Sequence, residues 1–289
     1  MIRWSILTAV ATLAISGAAA AQPSQRVMSL NLCTDQLLLQ LLPRERIASV
    51  SFLSSSAENA FLTAETYGVP VNYGTSEEVL RYNPDLVVAG TTTTAPVRAL
   101  LTRIGMPLIE APPAENFEQI RSVTRMIARA VGEEQKAERL LQEMDAILAE
   151  LAATAPNERI VVAGWDGAGN VPLKGTLFDT ILTTAGGINV AANITTNIGY
   201  GQVAAFDLEQ LVAMRPDIIA LGNSRIGKPD LGNEQLQHRI VRRLYSGRQI
   251  TYPETLYSCG LPQSAAAARD LRRAMLDVMS TQGSGVRAR

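Results

Sequence analysis

Histidine is almost missing from this 289-residue chain: His238 is the only one, and cysteine is limited to Cys33 and Cys259. Zinc sites draw three or four ligands from His, Cys and carboxylates, so the chain cannot supply a histidine-rich site for a bare ion. A metal reaching this protein has to arrive already chelated. The four thiolates of an iron–sulfur cluster are missing as well. His238 itself reads as a surface or packing residue. An excess of charge of one sign is also lacking. Twenty-six basic and 27 acidic residues nearly cancel, which gives no support to nucleic-acid binding, since that calls for a basic surface. Neither a G-x-x-x-x-G-K-[ST] loop nor a G-x-S-x-G elbow occurs, and the lone histidine has no evident nucleophile partner. The common phosphate-binding and acyl-transfer machineries are thereby set aside, and the chain reads as a binding protein, not an enzyme.

What is present begins with a leader. Arg3 precedes an uncharged apolar stretch, Trp4 to Ile15, and Ser16-Gly17 then leads into Ala18 to Ala21. This is the pattern of a cleaved secretory signal over residues 1–21, too short for a membrane span. No cysteine lies near the cleavage site, which argues against a lipid anchor. The mature chain is expected in a bacterial periplasm, as a monomer, and no second apolar stretch is long enough to span a bilayer.

Beyond residue 21, short β-rich runs alternate with helical patterns. Arg26 to Leu30 and Ile47 to Ser51 read as strands, as do Leu86 to Ala89 and Pro107 to Ile109, with helices at Thr34 to Leu42 and Val97 to Ile104. The alternation resumes after Pro156 with strands at Ile160 to Ala163, Ile218 to Leu221 and Arg248 to Thr251, and helices at Thr176 to Thr184 and Ser264 to Met279. Such alternation predicts parallel sheets covered by helices. Residues 116–154 differ in kind: they hold no proline, one glycine (Gly132) and a helical apolar stripe from Ile120 to Leu151. Gly132 either ends one helix before the next or interrupts a single long one; in both cases the segment is a stiff strut. The expected organisation is an N-terminal α/β lobe (22–115), a linking helix region (116–154) and a C-terminal α/β lobe (155–289). The fold class is α/β: two similar lobes with central sheets covered by helices, joined by one long rigid helix, with a ligand cleft between the lobes.

The similarity of the lobes is written in a repeat. YGTSEEVLRYNPDLVVAG (73–90) and AFDLEQLVAMRPDIIALG (205–222) align at an offset of 132, pairing Glu77 with Glu209, Pro84-Asp85 with Pro216-Asp217 and Gly90 with Gly222. Each copy is a helix, a proline that stops it, a strand and a glycine at the strand's carboxyl end. Thr75 and Asp207 are N-caps, with Glu78 and Gln210 three residues on. Glu77 and Glu209 are thereby left free to point outward. A glutamate in a first turn also complements the helix dipole; its recurrence at the same place in two repeats is what suggests a further role. Asp35-Gln36-Leu37-Leu38 is echoed, more weakly, by Asp179-Thr180-Ile181-Leu182.

At these residues the chain resembles the class III substrate-binding proteins of ABC importers for cobalamin and iron–siderophore chelates. The resemblance runs from Arg26 to about Met279. It is carried by RVMSLNLCTDQLLLQL, VNYGTSEEVLRYNPDLVVAG, IGMPLIEAP, GTLFDTILTTAGGINVAAN, FDLEQLVAMRPDIIALG and LYSCGLP in that order. It implies two lobes on a rigid helix, and one acid per lobe that docks onto arginines of an inner-membrane ABC permease dimer. Those acids fall on Glu77 and Glu209. It implies no cofactor, the cobalt or iron belonging to the captured metal chelate.

Ligand contacts are expected from loops at the strand ends. In the first lobe these are Asn31, Leu32, Cys33, Ser54, Tyr73, Thr91, Thr92 and Thr93; in the second, Trp165, Asp166, Tyr200, Asn223, Arg225 and Tyr257. The aromatic residues offer flat faces with polar edges, suited to a corrin or a catecholate. Each also has a plain alternative: packing for the aromatics, a solvated loop for the threonine run, a surface ion pair for Arg225. Cys33 and Cys259 are expected as two free, mostly buried thiols, because a bridge across a cleft would staple the lobes. A disulfide is nonetheless allowed in an oxidising compartment. Heme transport, and a ligand-binding sensor partner outside transport, remain as alternative functions.

Overall fold

The computed structural model describes residues 24–91, 93, 95–157, 159–165, 170–194, 203–205, 207–222 and 238–286. In the N-terminal half, β1 (Val27–Ser29), β2 (Ile47–Ser51), β3 (Val71–Asn72), β4 (Leu86–Gly90) and β5 (Leu108–Ala111) form a sheet in the order β3-β2-β1-β4-β5. All its pairings are parallel. The strands β1, β2 and β4 are buried on both faces, which is why they read as near-continuous apolar runs. Alternate side chains serve opposite faces. Val27 and Val88 pack with Leu37, Leu38 and Leu41 of helix α1 (Leu32–Leu41), whereas Met28 and Val87 pack with Val79 of α2 (Ser76–Tyr82) and Leu101 of α3 (Ala95–Arg103).

The C-terminal half repeats the plan. Strands β6 (Ile160–Trp165), β8 (Gly187–Asn189), β10 (Ile218–Gly222) and β11 (Gln249–Tyr252) form a parallel sheet in the order β11-β10-β6-β8. Strands β7 (Asn170–Pro172) and β9 (Val203–Ala205) pair antiparallel beside it. Helix α6 (Leu177–Thr184) and the long C-terminal α10 (Ser264–Val286) cover one face, through Ile181, Leu182, Leu271 and Met275. The other face takes Leu211 of α7 (Leu208–Ala213) and Val241 of α8 (Arg239–Leu244).

The joining region corrects the expectation of one long helix. Gly132, with φ +73°, adopts the left-handed conformation that ends α4 (Phe117–Val131) before α5 (Glu134–Ala153) begins. The two helices fold back on each other, joined across by Arg121–Asp145 (2.6 Å) and Arg125–Glu138 (2.7 Å). Exposed pairs of this kind stabilise little; burial holds the hairpin. Phe117 and Ile120 at one end of α4 enter the C-terminal core, whereas Val123, Ile127 and Val131 enter the N-terminal one. Ala137 of α5 belongs to the N-terminal core, and Leu141, Met144 and Leu151 to the C-terminal core. The strut is thus a hairpin built into both cores.

The repeat is repeated in detail. Both capping boxes form, Thr75 with Glu78 and Asp207 with Gln210. Asn83 (φ 44°) and Arg215 (φ 48°), each immediately before the repeat's proline, are the non-glycine residues with left-handed backbone among those described. Each Pro-Asp aspartate then turns to the central strand. Asp85 accepts the backbone N–H groups of Gln25 (2.7 Å) and Arg26 (3.1 Å), and Asp217 that of Val161 (2.8 Å). The motif therefore stops a helix and pins the next strand to its neighbour.

Candidate ligand site

In a doubly wound sheet, ligands gather at the carboxyl ends of the strands where the order reverses. The order reverses between β1 and β4 in one lobe and between β6 and β10 in the other. At the first reversal Asn31 caps α1, accepting N–H bonds from Cys33 (3.0 Å) and Thr34 (3.4 Å). Its Nδ2 lies 2.9 Å from where a Cβ on Gly90 would sit. At the second reversal Gly222 likewise leaves room, there for the Glu254 carboxyl. Both repeat glycines thus admit a polar side chain of another segment at the strand end.

Two adjoining cavities lie between the lobes. One, of about 80 Å³, is bounded by Asn31, Gly90, Pro112, Glu115, Ser258 and Gly260. The other, of about 250 Å³, is bounded by Glu115, Thr176, Phe178, Tyr252, Tyr257 and Ser258. Glu115 and Ser258 belong to both walls. Glu115 also ties the lobes: its Oε2 accepts the Leu177 N–H at the start of α6 (2.8 Å), and its carbonyl accepts from the Thr180 hydroxyl (2.7 Å).

Several expected contacts are displaced. Trp165 is 1% exposed and packs with Val171, Leu211, Ile219 and Val241, so it is a core residue of the second lobe and not a ligand platform. Ser54 is fully buried and donates to the Asp35 carboxylate (2.7 Å), so its hydroxyl is committed inside the first lobe. Cys33 and Cys259 are not free thiols but a disulfide, with Cα atoms 5.1 Å apart. The objection to a bridge across a cleft does not apply to it. Chain segment 258–263 crosses back to the first lobe, where Cys259 and Leu261 join the core cluster of Leu37 and Val50. The bridge links neighbours in one core.

Other expectations are placed at the strand ends. Asn31 and Cys33 line the smaller cavity, and Leu32 is half-buried against the first core. Thr91 is exposed, and Thr93 accepts the Gly90 N–H (3.0 Å) while its carbonyl accepts from Arg98 (2.9 Å). Tyr257 lines the larger cavity in a cluster with Phe178 and Tyr252, the rings tilted against one another. Burial holds its phenol protonated far above the usual range. Glu77 and Glu209 are both exposed. Thr92, Asp166, Tyr200, Asn223 and Arg225 lie outside the described residues. Exposed His238 caps α8, its Nδ1 accepting the Ile240 N–H at 3.4 Å. Among the described residues no three His, Cys, Asp or Glu side chains come together as a metal site, and no helix is long and apolar enough to cross a membrane.

Tyr73 is 70% exposed and stacks on Phe52, itself 45% exposed, with ring centroids 5.1 Å apart. Phe52 is not among the residues expected from sequence, although it directly follows β2 and lies two positions before Ser54. Both rings stand at the carboxyl ends of β2 and β3, an open apolar surface at the strand-end rim of the first lobe.

Two parallel α/β lobes, tied by a helical hairpin and walling a groove with their strand ends, define a two-lobed ligand-binding protein. The model of the Periplasmic binding protein family matches residues 27–244, about three quarters of the chain, and the chain belongs to that family. A cobalamin-binding protein of Halobacterium salinarum is 26% identical over 203 residues, 69% of this chain and 54% of the relative. The chain thus spans about half the length of the curated relatives it matches. Among solved structures, the periplasmic heme-binding protein HutB of Vibrio cholerae has a TM-score of 0.71 at 17% identity, covering 86% of this chain and 98% of its own. The periplasmic vitamin B12 binding protein BtuF of Vibrio cholerae gives 0.68 at 14%, covering 89% and 98%. The periplasmic heme-binding protein RhuT of Roseiflexus gives 0.69 at 22%, covering 88% and 99%. These likenesses share the fold, and the family and these neighbours are binding proteins.

Proposed function

We propose that the chain is the periplasmic substrate-binding component of an ABC importer, capturing a metal chelate and delivering it to an inner-membrane permease dimer. The observation that carries this is the pair of exposed carboxylates, Glu77 and Glu209, at the same position of matching capping boxes on separate lobes. Two carboxylates so placed suit two symmetry-related arginines of a dimeric permease, and such pairs set orientation more than affinity. The open Phe52–Tyr73 stack suits the flat face of a corrin, a heme or a catecholate chelate. The metal belongs to the cargo, and the protein acts as a monomer without a cofactor of its own.

The test has two arms. Titration with cyanocobalamin, hemin and a ferric catecholate siderophore identifies the ligand; failure of all three sinks the chelate reading. The double reversal Glu77→Lys with Glu209→Lys is expected to abolish uptake in cells while ligand affinity stays within about twofold. Full uptake by that variant would refute the docking role. Heme has one observation in its favour, the solvent-exposed Tyr73 phenol, since a tyrosine oxygen is an axial ligand of heme iron.

A further inference from the structure

The turn that carries Phe52 is held from below by one buried side chain. Phe52–Ser55 is a single 3-10 turn with Ser51 as its N-cap. Oδ2 of Asp35, in the first turn of α1, accepts the Ser51 N–H (3.0 Å), the Ser51 hydroxyl (2.7 Å) and the Ser54 hydroxyl (2.7 Å). One carboxylate oxygen therefore gathers the residues on both sides of Phe52. Oδ1 has no hydrogen-bond partner, although Asp35 is fully buried. The neighbouring Gln36 extends the grip, donating to Ser54 Oγ (3.3 Å) and accepting the Leu62 N–H (2.7 Å). The corresponding acid of the second lobe, Asp179, has both oxygens engaged, by the Gly175 N–H (2.9 Å) and Asn189 Nδ2 (3.0 Å), and carries no aromatic turn.

We propose that Asp35 is a positioning residue for the aromatic surface: its carboxylate sets the Phe52 turn against Tyr73, and gain of one proton there loosens the stack. Burial pushes the Asp35 carboxyl up to about 6 from 3.8, while the hydroxyls of Ser29, Ser51 and Ser54 and the Ser51 N–H pull it down. An ionised oxygen accepts charge-assisted hydrogen bonds, roughly twice as strong as those to a neutral acid. Protonation therefore weakens three bonds on the turn at once. Helix α1 packs chiefly against β1, β2, β4, α4 and the turn itself, and Lys136 of α5 donates to the carbonyl of Leu41 (3.1 Å) at its far end. Those three strands and the turn hold no charged residue, and Cys33 of α1 is in the disulfide. The charged groups of α4 engage elsewhere: Glu118 and Arg129 are exposed, and Arg121 and Arg125 pair with Asp145 and Glu138 of α5. The switch is therefore local to Asp35 and its serines.

The inference rests on the chelate reading in taking Phe52 and Tyr73 as ligand surface, so its first test needs no ligand. Protein labelled with ¹³C at Phe and Tyr rings is titrated from pH 4.5 to 8.5. The Phe52 and Tyr73 signals are expected to move together with a midpoint near 6. They should stay fixed in Asp35→Asn, which keeps an accepting oxygen without a titrating proton, and move less in Ser54→Ala. Rings that do not titrate in the wild type, or titrate alike in Asp35→Asn, overturn the inference. In the second test cyanocobalamin and hemin are titrated at pH 5 and pH 8. A fivefold or greater loss of affinity at pH 5, absent in Asp35→Asn, supports it; an equal loss in both proteins overturns it. If the rings follow Asp35 and neither compound binds, the positioning role stands and the reading of these rings as a cobalamin or heme surface falls.

Discussion

Replacing Cys33 and Cys259 together by alanine tests how the two ends of the chain hold each other. The bridge closes a loop of sequence separation 226. Loop-closure entropy for that length amounts to about 5 kcal/mol at 25 °C. This is an upper figure, because the unbridged denatured chain is itself not a random coil. The native state also keeps other ties between the same parts. Gln263 donates to Gln40 (2.5 Å), Leu261 stays in the first core, and Glu115 still caps α6. None of these acts on the unfolded chain, so they leave the entropic term intact while keeping the variant folded. Alanine at position 259 loses a buried sulfur, since Cys259 is 2% exposed, which adds about 1 kcal/mol to the cost. A net loss of about 3–5 kcal/mol follows. With a urea m-value of about 3 kcal/mol/M, the midpoint falls by about 1–1.7 M. Urea melts followed by circular dichroism measure it, and wild type with a reducing agent should fall onto the variant's curve. Coincident curves for oxidised wild type and variant, or two titratable thiols in unfolded, unreduced protein, would refute the reasoning.

Arg272 is 7% exposed and donates to the carbonyls of Leu151, Thr154, Thr184 and Ala185, closing the last turns of α5 and α6. Arg272→Met should cost at least about 3 kcal/mol in urea melts, because several helix-end carbonyls lose a charged donor. Arg272→Lys should recover under half of that, a point ammonium being unable to span both helix ends; full recovery would refute the capping role. Asp35 predicts a pH profile: its folded-state carboxyl is raised to about 6, so ionisation works against the native state. The stability of the protonated form is fully present below the unfolded value near 4, is lost as pH rises towards 6, and levels off above it. The drop is about 3 kcal/mol, from a shift of about two pH units. Asp35→Asn should remove that slope between pH 4 and 6, and an unchanged slope would assign it elsewhere.

Much of the fold was legible because its signals are local. Alternating runs and helical stripes name their elements, and the repeat fixes their equivalence, down to two capping boxes that formed as read. The site was less legible because its decisive facts are not local. Trp165 ends a strand, and period-2 alternation from Ala163 puts it on the sheet face that meets α7 and α8. Sequence order alone does not say whether a terminal strand residue turns to that face or out over the edge. Ser54 looked like a loop residue; the partner that buries it, Asp35, is nineteen positions earlier. Cys259 was assigned by position to the second lobe, but the chain between α9 (Thr255–Ser258) and α10 returns to the first. Gly132 was legible as a helix end or an interruption. Only the side chains on both sides of it, divided between two cores, decide for a hairpin.

The repeat is most faithful in the sheets and the helices that cover them and least faithful at the strand ends, and this has a physical reason. The parts that match, caps, left-handed residues before proline and Pro-Asp pins, serve the sheet and its helices, which are the same problem solved twice. At the strand ends the lobes diverge. Gly90 makes room for Asn31 from its own lobe's first helix, whereas Gly222 makes room for Glu254 from the last loop before the chain crosses over. The first lobe adds β3 and the Phe52 turn, so its rim carries an open aromatic stack; in the second lobe the described aromatic residues at the cavity, Phe178, Tyr252 and Tyr257, are packed on one another beside Thr176, Val203 and Glu254. A symmetric rim would suit a symmetric ligand, and a chelate with unlike faces needs unlike walls. Glu77 and Glu209, by contrast, keep their symmetry at exposed positions, as the proposed contact with a two-fold permease requires. Symmetry is retained where a dimeric partner would read the molecule and broken where a single ligand would.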